Sequence, residues 1–134
     1  MHIRKKESYA PVIRAFRNYA RLGLDDDDLP PYLKYTRIRG VCATEAQSIS
    51  MLAVCDTLRI LRLSGKTAAL SAVRQVWMVH CFSPIGKQEI SMRVRKASFL
   101  LFCDDRTVYR YLRTAADIYN EILKETPSTP LANS

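Results

Sequence analysis

The sequence predicts an all-α protein, a small helical bundle whose last two helices form a helix-turn-helix. Two observations carry that expectation. Only four of the 134 residues are glycine, and no segment alternates apolar and polar residues with period two, so the pattern of a sheet is missing. Apolar residues instead recur at steps of three and four through successive windows, each bounded by residues that start or stop helices. With 48% hydrophobic and 25% charged residues, the chain has the composition of one globular domain. That domain is expected to span residues 1–125. The tail 126–134, TPSTPLANS, is polar and proline-rich and is expected to be disordered.

Residues 9–22 read as the first helix. Ser8 is placed to cap it, Pro11 fits its first turn and Gly23 stops it. Val12, Phe16 and Tyr19, with Ile13 and Ala20 alongside, line one face. Arg14, Arg17 and Arg21 line the other, a row suited either to phosphate contact or to plain solvation. The segment 24–31, LDDDDLPP, reads as a solvated connector. Its carboxylates repel one another, its prolines forbid a continuing helix, and its spacing lacks the alternation of a calcium loop. Residues 32–41 are compatible with a short helix or an extended linker.

Residues 44–64 form the firmest helix in the sequence. Thr44-Glu45-Ala46-Gln47 matches a capping box, and Gly65 ends the run. Ile49, Leu52, Val54, Leu58, Ile60, Leu61 and Leu63 are too many for one narrow stripe, so this helix is expected to be central and mostly buried. Residues 67–82 follow as an antiparallel neighbour after a short connection. Leu70, Val73, Val76, Trp77 and His80 are spaced for one buried face, with His80 as a core residue. Residues 83–86, SPIG, break the chain. Residues 87–101 then run helically, with Ile90, Val94, Ala97 and Leu101 inside and Arg93 and Lys96 nearer the outside.

Several function classes are disfavoured. The longest apolar-rich stretch, 49–63, contains Asp56, Arg59 and Arg62 and does not qualify as a membrane span. The N-terminal residues lack the apolar core and cleavage site of a signal peptide, so a cytoplasmic protein is expected. The four cysteines are isolated, with no C-x-x-C pair, and His2 and His80 add no ligand cluster. Buried, free, reduced thiols and no metal are expected. No phosphate-cradling glycine loop and no nucleophile elbow occur, so neither an enzyme nor a cofactor is expected. The net charge of +8 favours a polyanion partner, though the excess is spread along the chain.

The stretch 96–123, KASFLLFCDDRTVYRYLRTAADIYNEIL, is the most informative. Asp104 and Asp105 sit where an N-cap would accept the orphan N–H groups of the last helix. Val108, Leu112, Ala115, Tyr119 and Ile122 form its apolar stripe, while Arg106, Tyr109, Arg110 and Arg113 fall on another sector. In a helix-turn-helix, here about residues 90–124, the N-terminal part of the second helix enters the major groove of double-stranded DNA. Arg106, Tyr109, Arg110 and Arg113 are then candidate base readers, with Thr107 in reach of a phosphate or base. Arg93, Arg95 and Lys96 are candidates for phosphate contact. Ser98 is the small residue at the close approach of the two helices, and Phe102 stands where many such turns carry glycine.

The order of these pieces resembles the lambdoid-phage antitermination protein Q family, the branch related to ArpU and RinA regulators. The resemblance runs from about Gly40 to Leu123. It comprises the helix entry at Val41-Cys42, the long helix ending in LRILRLSG, the AVRQVWMVH helix, and DDRTVYRYLRTA, laid out like the recognition helix of sigma factor region 4. It implies a phage or prophage regulator that binds DNA at a late promoter in a bacterial host. Such a protein joins paused RNA polymerase and travels with it past terminators. By carry-over, Arg106, Thr107, Tyr109, Arg110 and Arg113 face DNA. No motif marks the polymerase-contacting surface, and the sequence shows no clear dimer seam. Two other functions fit the sequence: a helix-turn-helix repressor or activator that does not ride on polymerase, and a small helical protein-binding adaptor or inhibitor.

Overall fold

The computed structural model describes residues 2–25 and 29–125. Asp26, Asp27 and Asp28 of the acidic connector, and the tail 126–134 expected to be disordered, lie outside the described residues. The described residues are all-α, with no strand. Six helices follow in order: α1 (His2–Arg21), α2 (Pro31–Val41), α3 (Glu45–Leu63), α4 (Thr67–Val73), α5 (Lys87–Leu100) and α6 (Asp105–Glu125). A π-helical turn, Arg74–Met78, prolongs α4. No helix among the described residues is long and apolar enough to cross a membrane.

Helix α1 begins well before the expected position, so Ser8 lies inside it rather than at its cap. Residues 32–41, left open between helix and linker, lie in α2. Prolines at its start supply fixed φ angles and no N–H groups that need partners. In α3 the Thr44 hydroxyl accepts from the Gln47 N–H at 3.1 Å, and Gln47 Oε1 accepts from the Ala43 N–H at 2.8 Å. The side chain thus returns to the residue before the cap, one position earlier than in the usual box.

Three helix ends share one hydrogen-bonding pattern, in which a residue with positive φ lets two N–H groups fold back on the last turn. Gly23 (φ 70°) and Gly65 (φ 76°) occupy that position after α1 and α3. The paired bonds are Leu24 N–H to Tyr19 O at 3.1 Å and Lys66 N–H to Leu61 O at 2.8 Å. After α5 the same position belongs to Phe102 (φ 54°), with Cys103 N–H bonded to Ser98 O at 3.0 Å.

Helix α6 packs against α3 and α4, and α1 packs against α3, α6 and the π-helical turn. Phe16 of α1 stands between Trp77 of the π-helical turn and Tyr119 of α6, with ring centroids at 5.3 and 5.7 Å. The Tyr119 hydroxyl keeps a hydrogen-bond partner in Ser50 of α3 at 2.9 Å. Helix α2 is tied to α3 by the Tyr35 hydroxyl, which donates to Asp56 Oδ1 at 2.7 Å. Partial burial first, then the bond to Asp56 and its charge, push this hydroxyl up to about 12 from an ordinary 10. A raised phenol contributes stability below its unfolded value and loses that contribution as pH rises through its folded value. Stability is therefore expected to fall between pH 10 and about 12. Thermal denaturation across an alkaline series should show a smaller decline for Tyr35→Phe.

The segment after α4 departs from the straight helix expected through residue 82. The π-helical turn closes with Val79 N–H bonded to Arg74 O at 3.0 Å, and the chain then leaves the helix at Val79. An inserted π turn shifts the helical register. Val76 and Trp77 stay buried, but His80 is thrown outward at φ 51° instead of joining the core. The break leaves carbonyls without helical partners, and two buried arginines take them. Arg17 Nη1 donates to Trp77 O at 3.0 Å and Nη2 to His80 O at 3.0 Å, with a further bond to Ser83 O. Arg93 Nη1 donates to Val76 O at 3.1 Å and to Val79 O at 3.0 Å. The expected basic row of α1 is thus divided: Arg14 is exposed, Arg17 is buried at 5% exposure, and the exposed Arg21 bonds Cys81 O at 2.7 Å. A guanidinium presents five donors in a planar fork, which suits it to several carbonyls at once.

Of the four cysteines, only Cys55 is buried, and burial raises its thiol. Cys42, Cys81 and Cys103 are half-buried, so the expectation of buried free thiols holds for one of the four.

Candidate nucleic-acid interface

Helices α5 and α6 are joined by a tight turn over residues 101–104, a true break rather than one continuous helix. Its left-handed residue is Phe102, 94% exposed, whose side chain gives the turn little packing. Left-handed backbone costs a side-chain-bearing residue roughly 1–2 kcal/mol, and glycine avoids that cost. Phe102→Gly is therefore expected to stabilise the fold by about 1 kcal/mol, a rise in Tm of roughly 3–5 °C measured by calorimetry.

Asp104 caps α6. Its Oδ1 accepts from the Thr107 N–H at 2.9 Å and from the Thr107 hydroxyl at 2.7 Å. These two bonds, with the positive charges of Arg106 and Arg110 adding to them, hold the Asp104 carboxyl below its ordinary value. The following acid, Asp105, is not the cap: it pairs with Arg95 of α5 at 3.1 Å, bracing the turn. Thr107, expected near a phosphate or base, has its hydroxyl proton committed to Asp104.

Beyond the cap, Val108, Leu112, Ala115, Ala116 and Tyr119 are buried, and Ile122 is half-buried. Burial of this stripe fixes the rotation of α6 about its axis. Arg106, Arg110 and Arg113 are exposed, and Tyr109 is 42% exposed beside them. Positions 106, 109, 110 and 113 stand at i, i+3, i+4 and i+7, one strip of helix surface. The outer face turns acidic further on, at Asp117, Glu121 and Glu125. Arg106 lies in the first turn, where the helix dipole disfavours a cation.

The phosphate candidates of α5 divide three ways. Arg93 is not at the surface: it is 7% exposed, bonded to the carbonyls of the π-helical turn and to Glu89 at 3.3 Å. It faces inward because the broken end of α4 needs donors there. Arg95 is exposed but engaged with Asp105. Lys96 is exposed on the outer face of α5, between Met92 and Phe99. Ser98 is buried at 6% exposure, consistent with the close approach expected of it. Several arginines elsewhere are similarly engaged, while the exposed Arg14 of α1 and Arg39 of α2 form no hydrogen bond or ion pair with the described residues. Arg74 binds Asp25 at 2.9 Å, and Arg59 lies 3.6 Å from Asp56 and over the Tyr35 ring. By contrast, the side chains of Arg106, Arg110 and Arg113 form no hydrogen bond or ion pair with the described residues.

The sequence reading did not single out Met92, Phe99 and Leu100, which are exposed on α5. The signal was present. Once Ile90, Val94, Ala97 and Leu101 are assigned to the inside of this helix, the remaining apolar residues must point out. Among the described residues no group of three His, Cys, Asp or Glu side chains is arranged to hold a metal ion. The chain matches no protein-family model, no curated protein sequence and no solved structure.

Proposed function

We propose that the protein is a DNA-binding transcription regulator of phage or prophage origin, with a layout that resembles the antitermination protein Q family. In this reading α5 and α6 form a helix-turn-helix, and α6 enters the major groove. Arg106, Arg110 and Arg113 then contact base edges and phosphates, with Tyr109 beside them. The observation that supports the reading is the sorting of arginines. Those at 17, 21, 59, 74, 93 and 95 are held by partners within the fold. Arg14 and Arg39 also lack such a partner among the described residues but stand singly on α1 and α2, whereas the three on the first half of α6 share one strip. A rigid helix that points uncommitted guanidiniums outward is suited to a polyanion.

The reading is tested by double-stranded DNA affinity across a salt series. The α6 arginines are expected to contribute a log–log slope of up to about −2.7, roughly 0.9 for each one that neutralises a phosphate. No binding at low salt would overturn it. Read-through of a terminator by purified bacterial RNA polymerase separates a Q-like antiterminator from a repressor or activator that acts at a promoter. DNA binding without read-through assigns the second role.

A further inference from the structure

A cleft of about 550 Å³ opens between α1 and the chain that enters α5. Ile13, Arg14, Arg17 and Arg21 line its α1 wall, and Ile85 and Ile90 line the other. Arg14, Arg17 and Arg21 stand at i, i+3 and i+7, one strip of the helix. Arg14 is exposed and forms no hydrogen bond or ion pair with the described residues. Arg17 lines the cleft from within the fold, held by the carbonyls of Trp77, His80 and Ser83. Arg21 donates from Nε and Nη2 to Cys81 O and from Nη1 to Asn18 Oδ1. That uses one hydrogen on each nitrogen and leaves two N–H groups for another acceptor. Every acceptor of Arg17 and Arg21 is neutral, so these bonds satisfy donors without cancelling charge. No described carboxylate lines the cleft. Glu89, in the first turn of α5, is paired with Arg93 at 3.3 Å and lines a different depression. Burial first, then repulsion from Arg93 and Arg21, lowers the Arg17 pKa, and the opposing attraction of Glu89 is smaller than either. The positive end of α5 borders the same cleft, because its cap is Gly86, which supplies no capping side chain.

We infer that this cleft binds a small organic anion with a phosphate or carboxylate head and an apolar body. Arg14 and the unused N–H groups of Arg21 hold the head, and the fixed charge of Arg17 lies behind them. Ile13, Ile85 and Ile90, all half-buried, cover the apolar body. The cleft volume falls in the range of small-molecule sites, roughly 300–1,000 Å³, and its mixture of apolar walls and a few polar groups is theirs too. Duplex DNA fits less well. A rigid backbone does not reach an arginine that is 5% exposed, and phosphates gain nothing from three isoleucines. The inference does not depend on α6 reading DNA.

The test titrates the nitrogen-labelled full chain with octyl phosphate, octylamine and inorganic phosphate, followed by amide-resolved NMR. Octyl phosphate is expected to shift amides within 10–21 and 85–90. It should bind about tenfold or more tightly than inorganic phosphate, which has the head without the body. Octylamine, which has the body with the opposite charge, should give no saturable shift there. Arg14→Gln with Arg21→Gln should weaken octyl phosphate by about tenfold or more, since two charged donors are lost. Ile85→Ser should weaken it by about fivefold without removing a charge. Both variants should melt within a few degrees of the parent, because Arg14 and Arg21 are exposed and Ile85 lies outside the core cluster. No saturable binding of octyl phosphate, or octylamine binding as tightly, would overturn the inference. So would either variant with the parent's affinity, or shifts confined to 106–113, which would assign the anion to α6. A double arginine variant that loses duplex-DNA affinity as steeply as octyl phosphate would also overturn it, by giving these arginines to nucleic acid.

Discussion

Arg17→Met is expected to destabilise the fold by about 3–5 kcal/mol, a fall in Tm of roughly 10–20 °C. Methionine fills a similar volume and removes the charge, so the loss reports the carbonyls left behind. Trp77, His80 and Ser83 each accept from this one guanidinium, and Arg17 is 5% exposed. A buried carbonyl stripped of its donor costs about 1–3 kcal/mol. Arg17→Lys should recover part of the loss, because an ammonium has three donors but cannot spread them as a planar fork does. Arg93 serves the same segment from α5, and both guanidiniums reach Val79 O, at 3.4 Å from Arg17 and 3.0 Å from Arg93. A double-mutant cycle with Arg93→Met should therefore show coupling of about 0.5–3 kcal/mol. Additive losses would mean that the two side chains do not hold one structure. Burial, with repulsion from Arg93 and Arg21, lowers the Arg17 pKa, yet arginine stays charged throughout the accessible pH range. No pH dependence is expected from this clamp.

Replacing Arg106, Arg110 and Arg113 together with glutamine is expected to separate binding from folding. These side chains make no hydrogen bond or ion pair with the described residues. Exposed substitutions of this kind usually stay within about 0.5 kcal/mol each, so Tm should move by no more than a few degrees. DNA affinity near 0.1 M salt should fall by roughly 100- to 1,000-fold, and the salt slope should lose up to about 2.7. A triple variant with the parent's affinity and slope would remove α6 from the interface. Loss of affinity accompanied by a large fall in Tm would point to a structural role for these arginines and would contradict their lack of partners.

Much of this site was legible because it is local. The Asp104 cap, the buried stripe from Val108 to Tyr119 and the outward set of Arg106, Tyr109, Arg110 and Arg113 all follow from one helix with a fixed period. Phe102 was legible as an oddity, and its left-handed backbone shows that the turn uses the glycine geometry without the glycine. The burial of Arg93 was not legible, because its position on α5 says nothing about the π-helical turn that approaches it. The exposure of His80 was hidden in the same way: a period of 3.6 extended past Trp77 assumes a regular helix, and the π turn breaks the register.

The sequence by itself determined the helix count around the centre, the caps at Thr44, Gly23, Gly65 and Asp104, and which side of α6 is apolar. Each depends on bonds or burial patterns within a few residues. Only the tertiary structure decided which arginines are free. Arg17 and Arg113 are the same residue type on comparable amphipathic helices, yet one is buried against the carbonyls of a distant segment and the other is open to solvent. A guanidinium's fate depends on which acceptors the packing brings to it, and those acceptors lie some sixty residues away in the chain.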